Sequence, residues 1–352
     1  MQLIVLIFFC LVTVGSANQC GISGQATGKY RPILSNYTNE ENTNRILGGD
    51  ESFEGRWPWI TYLLSGDGNK NFTAACTATI IGDRWILTAA HCIKKEVAVR
   101  YGSIEKPNRF QNNMQLVNES FAHPCYDPSK AYVADIALLK LNEKIKFNET
   151  ISPICLWKND ELKQDDLLIA AGWGVIFNYA TGNQTGNETS IEQFPINYTS
   201  PKILNERLMS MKNDENCSEM IKSKDETANF KRFLCHYGVN SGGMSGDSGG
   251  PSMALKNDTW IQVGVASWGL FLIRGNNRID MAEMMIHTRV SNYCGWIAKT
   301  TNNEVQCQGG KENVDTDEII CQKEKPSKPS SAEGKTLKSL ILSIILLKIL
   351  SF

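Results

Sequence analysis

Three short segments, widely separated along the chain, carry residue types that acyl-transfer chemistry requires. They are Leu87-Thr88-Ala89-Ala90-His91-Cys92, Ala134-Asp135-Ile136-Ala137-Leu138-Leu139 and Gly246-Asp247-Ser248-Gly249-Gly250-Pro251. A serine hydroxyl is a weak nucleophile at neutral pH and attacks only when a base takes its proton. A histidine can be that base, and later the acid that protonates the leaving group. An aspartate can hold such a histidine in the useful tautomer. Glycines around the serine let the backbone turn tightly enough to expose both the hydroxyl and the amides beside it. Taken singly, each segment has an ordinary structural explanation: Asp135 alone reads as a turn or capping residue. The argument rests on all three contexts together.

In that order along the chain, His then Asp then Ser, the segments resemble the trypsin/chymotrypsin-like serine peptidase family, over about Ile46 to Thr300. Subtilisins and α/β-hydrolases carry the same trio in other orders. The resemblance implies that His91 is the general base, that Asp135 orients it, and that Ser248 is the nucleophile. It also implies an oxyanion hole formed by the amides of Gly246 and Ser248, where one donor contributes about 3–4 kcal/mol to the transition state. Ser267, in Ser267-Trp268-Gly269, matches the family serine that hydrogen-bonds the aspartate, and the residues after it would pair with an extended substrate. Arg45-Ile46-Leu47-Gly48-Gly49 resembles the family's activation site. Cleavage after Arg45 would free an ammonium on Ile46 to pair with Asp247 and order the oxyanion hole. An exposed loop arginine is the plainer reading of Arg45.

The resemblance further implies three disulfides, Cys76–Cys92, Cys217–Cys235 and Cys20–Cys155, the last tethering the propeptide. Leu168 and Ala254 stand in place of one family cysteine pair, which suits an apolar contact, and Met244 replaces another family cysteine. Transferring Cys125 and Cys294 onto the family fold gives a Cys125–Cys294 bridge, which leaves Cys307–Cys321 to close a small loop. Gly242 occupies the position of the family's pocket-floor aspartate, and Met284 and Met285 replace a Pro-Gly on the far wall. With Trp268 and Gly269 opposite, such a pocket would leave an Arg or Lys cation unpaired, so the expected preference is for a small or moderately apolar side chain. The methionines read equally as loop core. Thr77-Ala78 replaces two glycines of the family, and is expected to narrow the leaving-group side of the cleft.

Around these motifs the chain is a succession of short strands. Trp59–Leu64, Trp85–Thr88, Ile136–Leu141, Leu167–Ala171 and Ile261–Ser267 are rich in β-branched and aromatic residues and are separated by turn formers. That pattern predicts an all-β barrel or sandwich. The resemblance narrows it to two antiparallel six-stranded β-barrels with the active site between them, and a short closing helix over Asn292–Thr300.

Length, charge and cysteines set the context. The chain has 352 residues, a formal net charge of −1 and eleven cysteines. A near-neutral chain has no basic field for nucleic acid. Leu3–Val14 is an apolar run followed by Gly15-Ser16-Ala17, so residues 1–17 read as a signal peptide, an uncleaved anchor being the other reading. Cys10 would leave with it, and an even number of remaining cysteines fits disulfides in an oxidising compartment. Asn36, Asn71, Asn118, Asn148, Asn183, Asn187, Asn197, Asn216 and Asn257 begin glycosylation sequons. Residues 18–45 read as a propeptide, 46–300 as the catalytic domain and 301–332 as a polar stalk. Residues 333–352 read as a glycosylphosphatidylinositol attachment signal, with a weakly membrane-associated tail or a structural helix as alternatives. The expected partners are protein or peptide substrates, a protease cleaving after Arg45, serpin- or Kunitz-type inhibitors, and a membrane through the lipid anchor. No metal or cofactor is called for. The competing reading of another class is an extracellular binding module that keeps the fold and little catalysis.

Overall fold

The computed structural model describes residues 20–23, 50–69, 71–107, 114–130, 133–178, 197–212, 215–226, 228–239, 246–274 and 280–309. Six strands, β2 (Ile60–Gly66), β3 (Phe72–Ile80), β4 (Trp85–Thr88), β5 (Glu96–Tyr101), β6 (Gln115–Ala122) and β7 (Ala137–Leu141), close a barrel in the order β2-β3-β4-β7-β6-β5. A closed barrel leaves no unpaired strand edge. Leu63, Ile80, Ile86, Leu87, Leu138 and Leu139 on its strands are all fully buried, alternate residues packing on its two faces.

A second barrel is built from β9 (Leu167–Gly172), β12 (Asn205–Met211), β13 (Phe233–Val239), β14 (Pro251–Lys256), β15 (Thr259–Arg274) and β16 (Asp280–Arg289). The order β12-β13-β16-β15-β14-β9 closes through pairing of β12 with β9, all antiparallel. Two short strands join this sheet: β1 (Asp50–Glu51) beside β12, and β8 (Cys155–Leu156) parallel to β15. A separate hairpin pairs β10 (Ile176–Asn178) with β11 (Asn197–Thr199). Helix α1 (Glu215–Lys224) precedes β13, and a turn at Val290–Tyr293 leads into α2 (Cys294–Thr300), the expected closing helix. The two-barrel architecture is thus as the resemblance implied.

Directional contacts fix the barrels against each other. The Trp59 indole donates to Met253 Sδ at 3.1 Å, the Thr79 hydroxyl donates to Gln262 Oε1 at 2.6 Å, and Trp57 meets Trp260 edge-on at 4.8 Å between centroids. Such pairs across an interface constrain orientation as well as adding burial.

Ordered packing continues past Thr300. Thr301 is fully buried, its hydroxyl donates to the Ile297 carbonyl at 2.8 Å, and Val305 and Cys307 are also buried. Gln308 then pairs with the backbone of Leu156 and Lys158. This path turns Cys307 back onto the start of α2, where it bonds Cys294 across a Cα–Cα distance of 5.7 Å. The expected Cys125–Cys294 and Cys307–Cys321 bridges are therefore corrected. Extrapolation stopped the domain at Thr300 and so placed Cys307 in a stalk, away from α2. Cys125 is itself disulfide-bonded, to a partner outside the described residues; Cys321 lies outside the described residues. Cys20–Cys155, Cys76–Cys92 and Cys217–Cys235 form as expected. Leu168 is buried with Ala254 packed against its cluster, the apolar replacement anticipated for the missing bridge.

Peptide mapping under non-reducing conditions is expected to return a Cys294–Cys307 cross-linked peptide; a Cys125–Cys294 peptide would refute this path for the C-terminal segment.

Candidate active site

The register of the first barrel brings His91 and Asp135 together. Thr88, the last residue of β4, lies opposite Ala137, the first of β7. The chain leaving β4 and the chain entering β7 therefore run side by side. A single helical turn at Ala90–Cys92 follows β4 and presents His91, and the Cys76–Cys92 disulfide anchors that turn to β3. On the other segment Ala134 has φ of 54°, a left-handed conformation that costs a non-glycine residue energy. The strain lies next to Asp135, as expected where surrounding contacts dictate how a side chain is aimed.

Asp135 is completely buried. A buried carboxylate must be paired and hydrogen-bonded, and Asp135 is. Its Oδ1 accepts from the His91 backbone amide at 2.9 Å, and its Oδ2 contacts His91 Nδ1 at 2.7 Å. The Ser267 hydroxyl of the second barrel donates to Oδ2 at 2.5 Å, and the Thr288 hydroxyl donates to the Asp135 carbonyl at 3.0 Å. Ser267 reaches Asp135 because β15 and β16 shift register between Ala266 and Trp268. A bulge of this kind re-aims one side chain and commonly sits beside an active site. Nδ1 against a carboxylate fixes the orientation of the imidazole, with Nε2 on the far side of the ring, 3.7 Å from Cys92 Sγ.

Ser248 lies in the tight turn 246–250, which packs directly on the His91 segment. The Thr77 amide donates to the Ser248 carbonyl at 2.8 Å, and the Gly249 amide donates to the Ala266 carbonyl at 2.7 Å. Gly249 has φ of +78°, and a Cβ there would lie 2.1 Å from the Thr88 hydroxyl oxygen and 3.0 Å from the Ala89 amide nitrogen. Only glycine permits that approach. The Thr77 hydroxyl donates to the Gly246 carbonyl at 2.9 Å, and the Gly250 amide donates to the Asp247 carbonyl at 2.9 Å. The latter bond turns the Ser248 N–H to the opposite side of its peptide. Thr77 and Ala78 are fully buried, so they brace this turn from beneath and do not narrow the cleft as the sequence suggested.

Asp247 is buried as well. Its Oδ1 accepts from the Gly174 amide at 2.7 Å, and its Oδ2 pairs with the Arg207 guanidinium at 2.9 Å. Gly172 and Gly174 make room, since a Cβ on either would lie within 2.3 Å of an Asp247 oxygen. Beneath this pair His236 and His287 stack with centroids 4.4 Å apart, and His236 Nε2 lies 3.4 Å from the Ser252 hydroxyl. Burial, reinforced by the Arg207 charge, lowers the pKa of His287 to about 3. Burial, then the neighbouring His287 and Arg289, holds His236 well below its ordinary value.

Of the expected specificity residues, Trp268 and Met285 are buried and Gly269 is half-buried. Met285 pairs in register with Gly269, and its sulfur lies 2.9 Å from where a Cβ on Gly269 would be. Gly242, Met244, Arg45 and Ile46 lie outside the described residues. Cys76, His91 and Cys92 place ligand-type atoms within 4.8 Å, but both thiols are spent in their disulfide.

A family model described as Trypsin matches residues 46–297. The chain belongs to the trypsin family. It is 32% identical to mouse vitamin K-dependent protein C over 79% of this chain and 57% of that protein. It is 28% identical to mouse tryptase, over 72% and 87% of the two chains, and 28% identical to human testisin, over 73% and 78%. The chain thus spans little more than half the length of the first of these relatives.

The structure joins His91, Asp135, Ser267 and the Ser248 turn on the trypsin-family pattern, and adds residues that motif reading missed. Gly174 and Thr288 act through contacts far apart in sequence and carry no local signature, and Thr77, singled out only for the cleft, acts through a contact of the same kind. Arg207 did leave a signal. In β12 it shares the inward parity of Met209 and Met211, and all three are buried. A lone charge in that register calls for a buried partner.

Histidines 236 and 287 titrate in the unfolded chain near 6.5, far above their folded values. Between pH 6.5 and about 3 the unfolded state binds protons that the folded state refuses, so stability is full above pH 6.5 and falls as pH drops. His123, lowered by burial to about 4, adds to the same slope. Urea midpoints measured from pH 7.5 to 4.5 are expected to fall, with a shallower decline in His287→Gln; an identical decline in that variant would refute the assignment.

Proposed function

We propose that the protein is a secreted or cell-surface serine endopeptidase that hydrolyses peptide bonds through an acyl-enzyme on Ser248. The observation that carries this reading is the Ser267–Asp135–His91 chain at 2.5 and 2.7 Å, with the Ser248 turn packed on the His91 segment. In the reaction His91 Nε2 takes the Ser248 proton as Oγ attacks the scissile carbonyl. Asp135 stabilises the imidazolium that forms, and His91 returns the proton to the leaving amine. The amides of Gly246 and Ser248 receive the developing oxyanion. Water then attacks the acyl-enzyme, with His91 again as base, and restores Ser248.

Extracellular placement is supported by the disulfides, by the family and by the exposure of sequon residues Asn71, Asn118, Asn148 and Asn257. Among the described residues no helix is long and apolar enough to cross a membrane. The small residues Ser330-Ser331-Ala332, the polar spacer and the apolar run Leu340–Leu347 support a lipid anchor near residue 332. The precursor is processed after Arg45 by a protease preferring basic residues, freeing the Ile46 ammonium within the charge field of Asp247. Serpin- or Kunitz-type inhibitors would engage the same cleft as substrates do.

Primary specificity is for a small or moderately apolar side chain. The apolar wall formed by Met285 against Gly269 offers no counter-charge to Arg or Lys. Replacing Met285 by glycine removes that wall.

Labelling by a fluorophosphonate probe of the ectodomain cleaved after Arg45 is expected for the wild type and absent for Ser248→Ala. A folded, cleaved protein that does not label would overturn the peptidase reading in favour of a binding module. In a peptide library the wild type is expected to prefer Ala or Val before the scissile bond, and Met285→Gly to gain about tenfold for Phe, the scale of a pocket opened by a few methylenes. Efficient cleavage after Arg by the wild type would refute the pocket assignment.

A further inference from the structure

The segment 103–106, just past β5, is stitched to both feet of the β10–β11 hairpin. On the first foot the Trp173 indole donates to the Ile104 carbonyl at 2.7 Å. On the second, the Lys106 amide donates to the Lys202 carbonyl at 2.7 Å, and the Leu204 amide donates to the Ile104 carbonyl at 2.8 Å. The Lys106 side chain then joins the two feet directly. Its ammonium donates to the Trp173 carbonyl at 3.3 Å and to Ser200 Oγ at 2.6 Å, and lies 5.9 Å from the centroid of the Tyr62 ring. These partners are all neutral. Burial lowers the Lys106 pKa, the field of Asp247 acting the other way. In so half-buried a place its hydrogen bonds are electrostatically stronger than on an open surface.

What this clasp holds lies at the edge of the cleft. The Trp173 carbonyl lies 3.3 Å, and the Gly174 Cα 3.2 Å, from where a Cβ on Gly246 would be. Tyr62 meets Trp173 edge-on at 5.4 Å and pairs in register with Thr77, whose hydroxyl holds the Gly246 carbonyl. The turn 246–250 is therefore flanked on two sides. Ala266 and the strand after Ser267 take one side, where substrate before the scissile bond is expected to pair. The Trp173–Gly174 foot takes the other, so the chain beyond the scissile bond leaves past Gly246 along the base of the hairpin.

We propose that Lys106 is a positioning residue for the leaving-group side of the cleft, tying the two feet of the β10–β11 hairpin into a fixed wall for the substrate residues after the scissile bond. The proposal rests on the peptidase reading and extends it to the choice of substrate: the enzyme selects on residues beyond the scissile bond as well as before it. A lysine suits the task. Its compact ammonium has three donors, enough to serve a carbonyl on one foot and a hydroxyl on the other at once. Methionine has a stem of similar length and loses both bonds.

The test uses the ectodomain cleaved after Arg45 and two substrates with Ala before the scissile bond. One is a simple ester with nothing peptidic beyond that bond, and the other is a peptide extended by three residues. Lys106→Met is expected to lower kcat/KM for the extended peptide about tenfold, the scale of a lost charged hydrogen bond, and mostly through KM. The loss on the ester is expected to be about fivefold smaller than that on the peptide. Lys106→Arg, which keeps the charge and the donors, is expected to recover most of the loss. Ser200→Ala, an exposed change that spares the core, is expected to shift the peptide-to-ester ratio in the same direction by about threefold. Equal losses on ester and peptide, with lowered urea midpoints, would reduce Lys106 to a structural residue and overturn the proposal. An unchanged peptide-to-ester ratio in both Lys106→Met and Ser200→Ala would overturn it too, and either result leaves the peptidase reading intact. A wild type that hydrolyses neither substrate would remove the peptidase reading and this proposal with it.

Discussion

A fully buried carboxylate, Asp135, is the constraint around which the two barrels are arranged. Removing an anion from water costs several kcal/mol unless partners replace its hydration. No single strand can provide them all. The first barrel contributes the His91 amide and ring, and the second contributes the Ser267 hydroxyl across a bulge and the Thr288 hydroxyl to the adjoining carbonyl. The site therefore exists only when both barrels are closed and docked. The inter-barrel contacts of Trp59, Thr79 and Trp57 are part of the catalytic apparatus in that sense, although none comes near a substrate.

Much of this was legible in the sequence because the chemistry is local. A histidine beside a cysteine, an aspartate opening an apolar strand and a serine among glycines each carry their surroundings with them. Short β-rich segments bounded by turn formers gave the all-β class, and the strands expected at Trp85–Thr88, Ile136–Leu141 and Leu167–Ala171 formed within a residue or so. What was not legible depends on the path of the chain in space. The polar composition after Thr300 suggested a stalk, yet a single threonine hydroxyl capping α2 and an apolar Val305 suffice to fold the segment back. Once it folds back, Cys307 is delivered to Cys294, and a pairing transferred from family geometry gives way to one thirteen residues apart. The substitution Thr77-Ala78 was misread for the same reason: side chains assigned to the cleft face inward, where a hydroxyl can hold the Gly246 carbonyl.

Asp135 and Asp247 are two solutions to one electrostatic problem. The Asp135 carboxylate is held by the His91 amide and ring and by the neutral Ser267 hydroxyl, with no permanent cation among these partners. Asp247 has among its partners an arginine, which keeps its charge at any working pH, and a backbone amide. A permanent pair of that kind suits a fixed brace, and the buried histidines beneath it, kept neutral by burial, add no competing charge. The polar interior of the second barrel is thus divided between an element that braces the 246–250 turn and, through Ser267, one that holds the Asp135–His91 pair.

This division explains why an arginine is tolerated at a core position of β12. An inward charge on a strand is destabilising unless it is paired, and Asp247 is a fixed partner here because it belongs to the tight turn 246–250 that packs on the His91 segment. Shape reinforces the choice. Gly172 and Gly174 leave a space that the Asp247 carboxylate fills to within 2.3 Å of where a Cβ would lie, so the acid cannot swing toward another cation without vacating a cavity made for it. The Arg207–Asp247 pair and the two glycines beside it therefore fix the 246–250 turn together.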